Sequence, residues 1–259
     1  MIEKSPNPQR VLVTGSTGAI GQPVCERLLA RGHHVRGFAR RPTPGLEDFV
    51  IGDLNDQAKV REAVEGMDCI INLGAYPNPA DFVDVLLQPN VVGLYYICEA
   101  AAEFKVKRLV LATTLQVVTG HKYGETGKMV KIEDGPAPVN HYGLTKAWAE
   151  IAGDMYARVH GLSVISVRIG WLPRNPTEAE RLVGSKIGKD VFFSHNDAAT
   201  FHQLCVESPT PAPGESAILF ATSRPTDRML LDLEPAKRVI GYEPEDVWPQ
   251  GLPYALNEV

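Results

Sequence analysis

Cysteine is scarce in this sequence. Cys25, Cys69, Cys98 and Cys205 are scattered over 259 residues, with no spacing that suggests a disulfide framework, so reduced buried thiols in a cytoplasmic protein are expected. No apolar run approaches the length of a membrane helix. Excess positive charge is also missing: the formal net charge is −5, which argues against nucleic acid or an anionic membrane as the main partner. The opening Met1-Ile-Glu-Lys-Ser-Pro-Asn-Pro stretch is polar and broken by proline, so neither a signal peptide nor an anchor is expected there. His33, His34, His121, His141, His160, His195 and His202 show no metal-ligand spacing, and no metal site is expected. What remains is a composition of 44% hydrophobic and 22% charged residues. That is ordinary for a globular protein, and the chain is long enough for a large core in one or two domains.

The stretch Arg10-Val-Leu-Val-Thr-Gly-Ser-Thr-Gly-Ala-Ile-Gly21 organises the rest. Val11 to Val13 form a β-branched apolar run expected of a strand buried on both faces. Gly15, Gly18 and Gly21 follow at three-residue intervals, and Pro23 to Ala30 read as a helix. A tight turn leading into a helix N-terminus offers unpartnered N–H groups and a favourable dipole to a phosphate. Gly15 suits the turn, Gly18 the approach of a pyrophosphate and Gly21 close helix–strand packing. Three spaced glycines can also be an ordinary turn with a C-capping glycine. The strand before and the helix after favour the nucleotide reading, with Gly15, Thr17, Gly18, Ala19, Ile20 and Gly21 as candidates.

Strands alternating with helices continue along the chain. Val35 to Ala39 and Phe49 to Asp53 read as strands, and Asn55 to Glu65 as a helix with Asn55 as N-cap. Asp68 to Ala75 is a strand, Asn90 to Phe104 a helix, Lys107 to Thr114 a strand, Tyr142 to Val159 a long helix, and Leu162 to Arg168 a sixth strand. This pattern predicts an α/β, doubly wound parallel sheet of the Rossmann type, with ligands beyond the carboxyl ends of the strands. Residues 1–170 form the expected dinucleotide-binding domain. Residues 171–259, a tail of about 90 residues, form the expected small C-terminal substrate lobe. Within this tail a helix is expected near Asp197 to Val206, another at Asp232 to Gly241, and residues 217–221 return to the sheet. Arg40 and Arg41 end the second strand where NAD-using folds place a carboxylate on the adenosine ribose. Arginines there suit a 2′-phosphate, so NADP is favoured over NAD, although two exposed surface arginines would look the same.

Tyr142 and Lys146 lie four residues apart and share a helix face. A nearby ammonium lowers a phenol's pKa, which fits the pair for proton exchange with a hydroxyl or carbonyl while a cofactor carries hydride. Thr113 and Thr114, at the end of the preceding strand, are the candidate hydroxyl donors to the developing alkoxide.

The chain resembles the extended short-chain dehydrogenase/reductases of the NAD-dependent epimerase/dehydratase group. The resemblance is carried by Thr14-Gly-Ser-Thr-Gly-Ala-Ile-Gly21, Asp53-Leu54, Asn72-Leu-Gly-Ala75, Asn90-Val-Val-Gly93, Tyr142 with Lys146, Val167-Arg-Ile-Gly170 and Lys237-Arg-Val-Ile-Gly-Tyr-Glu-Pro244. It implies that Asp53 and Leu54 hold the adenine, that Gly74, Ala75 and Asn90 contribute to the cofactor site, and that Tyr142 is the catalytic acid/base. It also implies that Lys146 binds the nicotinamide ribose, that Ile169 and Gly170 face the nicotinamide, and that a homodimer forms through the 90–104 and 142–159 helices. Within the group the chain is similar to uronate dehydrogenases, which share Val-Arg-Ile-Gly and Phe193-Ser-His-Asn-Asp197. That likeness implies a small-molecule substrate such as a sugar acid, with Arg181, or less well Arg174, on its carboxylate, and with Pro77, Trp171, Ser194 and His195 also at the substrate.

The sequence departs from that group in several places. Thr113-Thr-Leu-Gln116 replaces Ser-Ser-Asn-His and leaves the catalytic hydroxyl open between Thr113 and Thr114. Leu115, Pro77 and Trp171 imply a tighter, more apolar pocket, and Arg40 replaces the acidic residue of the NAD-using members. The expected activity is an NAD(P)-dependent oxidoreductase acting on a secondary alcohol or hemiacetal of a sugar acid or similar small polar molecule. A sugar-nucleotide epimerase/dehydratase is the alternative enzyme, and a non-catalytic NADP-sensing protein the alternative of another class.

Overall fold

The computed structural model describes residues 2–254. Its centre is one seven-stranded sheet in the order β3-β2-β1-β4-β5-β6-β7. The strands are β1 (Arg10–Thr14), β2 (His34–Ala39), β3 (Asp48–Ile51), β4 (Cys69–Asn72), β5 (Arg108–Thr114), β6 (Ser163–Ile169) and β7 (Ser216–Ala221). Every neighbouring pair is parallel. A parallel sheet needs a crossover between strands, and the crossovers place helices on both faces. The strand order reverses direction between β1 and β4, which opens a crevice at their carboxyl ends.

The helices are α1 (Gly21–Arg31), α2 (Gln57–Val64), α3 (Gly93–Glu103), the single turn α4 (Tyr123–Thr126), α5 (His141–His160), α6 (Pro176–Gly184), α7 (His195–Glu207) and α8 (Glu234–Ile240). One face of the sheet packs Val24 and Leu28 of α1, Phe201 and Cys205 of α7 and Ile240 of α8 against Val13, Ile71 and Ile165. The other packs Val60 of α2, Ile97 of α3 and Tyr156 of α5 against Leu12, Ile70 and Leu109. Strands covered on both sides carry no polar alternation, and all seven residues of β6 are buried. The four cysteines are free and buried within these layers. No helix among the described residues is long and apolar enough to cross a membrane.

The elements depart from the sequence expectation in several places, three of them beside the cleft. Asn55 is not the N-cap of α2: its backbone N–H donates to Asp53 Oδ1 at 3.0 Å, and Asp56 caps instead, accepting from Lys59 N at 3.1 Å. Helical backbone also begins well before Asn90. A wide-turned segment, Phe82–Val92, starts at the Asp81 cap, contains Pro89 and runs into α3 at Gly93. Its hydrogen bonds span five residues, as from Leu86 N to Asp81 O at 3.1 Å, a spacing that accommodates a proline unable to donate. The third is α6, a helix absent from the sequence reading. Asn175 caps it by accepting from Glu178 N at 3.0 Å, and Pro176 fills the first turn.

Ala217 to Ala221 does return to the sheet, as part of β7 beside β6. The chain beyond it is tied down through α7. Asp197, fully buried, accepts from the backbone N–H groups of Glu245 and Asp246 at 3.0 and 3.2 Å.

Candidate active site

The carboxyl ends of β1, β2, β4, β5 and β6 open into one cleft of about 1190 Å³. At its floor Gly15 has φ +64°, and a Cβ there would come within 3.0 Å of Gly74 N. The β1 and β4 ends are held that close by Thr14, whose hydroxyl donates to Asn72 Oδ1 at 2.7 Å and accepts from Gly74 N at 2.9 Å. Gly21 begins α1 so near the turn that a Cβ would lie 2.7 Å from Ser16 Cα. The glycines let the backbone turn press directly on the helix end. No side chain caps the N-terminus of α1; Gln22 N and Val24 N donate back to Gly18 O and Ile20 O, and the backbone of Ala19, Ile20 and Gly21 lines the cleft where an anion would meet the helix end. This architecture fits a dinucleotide: Gly15, Thr17, Gly18, Ala19, Ile20 and Gly21 line one arm of the cleft, and Asp53, Leu54, Gly74 and Ala75 lie farther along it.

Arg40 and Arg41 line the same arm just beyond β2. Both are exposed, and among the described residues neither forms an ion pair. Asn90 is placed differently. It is buried beneath the cleft, where its side chain accepts from Tyr76 N at 2.7 Å and donates to Tyr76 O at 3.0 Å and to Thr145 Oγ1 at 3.3 Å. Its polar atoms are occupied within the chain, and the loop carrying Tyr76 is fixed in return.

The second arm brings together the ends of β5 and β6 and the start of α5. Asn140 caps α5 by accepting from Gly143 N at 2.8 Å, which puts Tyr142 and Lys146 in its first turns on the face toward β5. Both side chains are buried, 7% exposed each. The Lys146 ammonium donates to Ala112 O at 2.8 Å and lies 6.0 Å from the centre of the Tyr142 ring.

The electrostatics differ from the sequence expectation in one respect. Burial pushes the Tyr142 phenol up to about 12; the Thr114 hydroxyl and the charge of Arg174 oppose that shift without overcoming it. Burial likewise lowers the Lys146 ammonium to about 8. Losing water costs the phenolate more than nearby groups return, because the lysine is turned to a carbonyl of β5. In the chain alone, Tyr142 is a protonated acid at neutral pH.

Thr113 and Thr114 are adjacent but face opposite ways, as alternation along a strand requires. Thr114 Oγ1 accepts from Gln116 N at 3.3 Å and lies near enough to the Tyr142 phenol to oppose the rise in its pKa. Thr113, 3% exposed, donates to Glu150 Oε1 at 3.0 Å. That carboxylate is also gripped by Arg168 through Nε and Nη2, both at 2.8 Å, in an ion pair with side chains 1% and 3% exposed.

Ile169, Gly170 and Trp171 complete the inner wall, and Pro77, Arg174, Glu178 and Arg181 stand at the substrate end. Ser194 and His195 do not line this cleft. The Ser194 hydroxyl caps α7, accepting from Asp197 N at 2.9 Å, and donates to Asp246 Oδ2 at 2.5 Å. His195 is buried in the first turn of that helix, and burial lowers its imidazole to about 4. Both belong to the anchorage of the C-terminal segment. Sequence reasoning missed Tyr76, Gln116, Tyr123 and Glu178, which also line the cleft. For Glu178 a signal existed: Asn175-Pro176 followed by an acidic residue is a helix-start pattern.

Comparison with known proteins agrees with this geometry. Residues 11–172 match the NAD dependent epimerase/dehydratase family. L-arabinose 1-dehydrogenase (NAD(P)(+)) of Haloferax volcanii is 32% identical over 251 residues, covering 92% of this chain and 96% of that protein. Uronate dehydrogenase of Agrobacterium fabrum is 30% identical over 205 residues, covering 78% of this chain and 73% of that protein. The crystal structure of uronate dehydrogenase from Agrobacterium tumefaciens superposes with a TM-score of 0.76 at 26% identity, over 95% of this chain and 86% of that one. The family match covers more than half of the chain, and the chain belongs to the NAD dependent epimerase/dehydratase family.

Proposed function

We propose that this protein is an NAD(P)-dependent dehydrogenase that oxidises, or in reverse regenerates, a secondary alcohol or hemiacetal of a sugar or sugar acid. The observation that carries this reading is the placing of a phenol, a facing hydroxyl and a buried ammonium at the inner end of a cleft whose other arm is a dinucleotide cradle. Named relatives act on small sugars and sugar acids with nicotinamide cofactors, which supports the same class.

When bound, the nicotinamide would supply the hydride acceptor and, in its oxidised form, a positive charge. Gly15 to Gly21 hold the diphosphate through backbone N–H groups, and Asp53 and Leu54 bracket the adenine. Tyr142 exchanges the proton of the reacting hydroxyl, and Thr114 hydrogen-bonds the same oxygen as charge develops on it. A positive charge held next to Tyr142 would oppose the burial effect on the phenol and favour its role as a base. Lys146 binds the ribose hydroxyls, and Ile169 and Gly170 pack on the ring.

Three finer points belong to the same reading. Arg40 and Arg41 favour NADP, because a guanidinium fork matches a 2′-phosphate. A homodimer forms through α3 and α5, whose exposed large apolar side chains Tyr95, Leu144, Ile151, Met155 and Val159 support it. Of the tail, residues 171–191 supply the substrate end of the cleft while α7, β7 and α8 belong to the sheet and its layers, and the protein works in the cytoplasm, where its thiols stay reduced. The test is a screen of aldoses and uronates with each cofactor, read as nicotinamide absorbance. Sugar-dependent reduction of the cofactor is the expected result, and none across the panel contradicts the reading.

A further inference from the structure

The substrate end of the cleft carries a specific charge arrangement. Arg174, on the loop between β6 and α6, is the cation whose field reaches the Tyr142 phenol. Its guanidinium is already engaged. Nε lies 2.9 and 3.0 Å from Glu178 Oε1 and Oε2, and Nη2 lies 2.5 Å from Oε1 and 3.2 Å from Asn78 Oδ1 across the cleft. The Arg174 backbone N–H also donates to Glu178 Oε2 at 2.9 Å. The start of α6 builds this pairing: with Asn175 as cap, Glu178 falls in the first turn and reaches back to the residue before the cap. Burial works against the Glu178 carboxylate, but Arg174, with a smaller contribution from Arg181, outweighs it and holds the carboxyl below its usual range.

An incoming carboxylate or phosphate would therefore find the Nε/Nη2 edge of Arg174 filled and a resident negative charge beside its remaining Nη1 group. Displacing Glu178 means breaking a bond that the chain makes with itself at high effective concentration, and leaves two anions together. A polyol brings no charge to this pair: its oxygens can accept from the Nη1 group of Arg174, which has no partner among the described residues, and its hydroxyls can share the Glu178 oxygens that Arg174 already engages.

We propose that the substrate is an uncharged aldose, with Glu178 accepting its hydroxyls and excluding sugar acids and sugar phosphates from Arg174. This rests on the dehydrogenase reading above and narrows its substrate. The test uses sugars that share one ring and differ in charge: D-glucose, D-glucuronate and D-glucose 6-phosphate, and D-galactose with D-galacturonate. Turnover of the wild-type enzyme is measured with its preferred cofactor. In parallel, cofactor-loaded Tyr142→Phe protein is titrated calorimetrically with the same sugars.

The neutral member of at least one set is expected to win by about tenfold or more in kcat/KM. Glu178→Gln keeps an acceptor for Arg174 N but removes the charge, and is expected to cut that preference by about tenfold or more, chiefly through a lower KM for the acid. Arg174→Gln is expected to retain the preference. A wild-type enzyme that favours the acid or phosphate overturns the inference, as does a Glu178→Gln ratio equal to wild type. If no sugar is turned over, the titration separates the two ideas: neutral-selective binding keeps the charge assignment and sinks the dehydrogenase reading. No heat from any sugar with cofactor bound overturns the inference itself.

Discussion

The hydroxyl of Thr113 donates to Oε1 of Glu150 at 3.0 Å, inside the interface between β5 and α5. That bond supports Thr114, whose hydroxyl hydrogen is not committed, as the hydroxyl we propose for chemistry. Thr113 is bound into the Glu150–Arg168 pair, and Thr114 is left facing Tyr142. Thr114→Val is therefore expected to lower kcat by about 10²- to 10³-fold with cofactor affinity intact, as removal of an oxyanion donor does. Thr113→Val is expected to keep kcat within a few-fold and to cost about 1 kcal/mol of stability, seen as a lower Tm. The reverse pattern would assign the roles the other way.

Lys146 is a buried ammonium lowered by desolvation to about 8 from an ordinary value of 10.5. The unfolded chain binds the proton more tightly, so between pH 8 and 10.5 the native state gains stability as pH rises. Below pH 8 the full penalty is present. Lys146→Met is thus expected to raise the stability of the cofactor-free protein at pH 7 by about 2 kcal/mol, while abolishing turnover. The gain should shrink as pH climbs through 8 toward 10.5. Denaturant unfolding at pH 7 and pH 10 checks this, and a destabilised variant at pH 7 would contradict it.

Arg40 stands exposed where the adenosine ribose of a dinucleotide would lie, without an ion-pair partner among the described residues. Arg40→Asp is expected to weaken NADP and favour NAD, changing the ratio of the two Kd values by at least about tenfold. Fluorescence titration reads both constants. A wild-type protein that already binds NAD more tightly would remove the basis of the argument.

Much of this architecture can be read from the chain, and the exceptions have physical causes. The parallel sheet follows from apolar runs such as Val11 to Val13 and Cys69 to Ile71, buried on both faces, alternating with helical stretches. The glycine turn and the Tyr142/Lys146 pair are local patterns with local geometry, and both come to one cleft. Side-chain direction is less legible. Ser194 and His195 sit close to a substrate-lobe loop in sequence, yet Ser194 is consumed as a helix cap and bonded to Asp246, 52 residues on, and His195 is buried in the first turn of the same helix. Asn90 is likewise spent on Tyr76. The height of the Tyr142 pKa could not be read from spacing, since an i,i+4 lysine says nothing of how dry the pair is.

The proton-exchange role of Tyr142 is the claim on which the account turns, and Tyr142→Phe tests it most directly. Removing the phenolic oxygen leaves the ring packed and the cradle of Gly15 to Gly21 untouched. The account predicts that steady-state oxidation of the best sugar falls by about 10³-fold or more, with the Kd for the nicotinamide cofactor unchanged within a factor of about two. Turnover near the wild-type rate would contradict it.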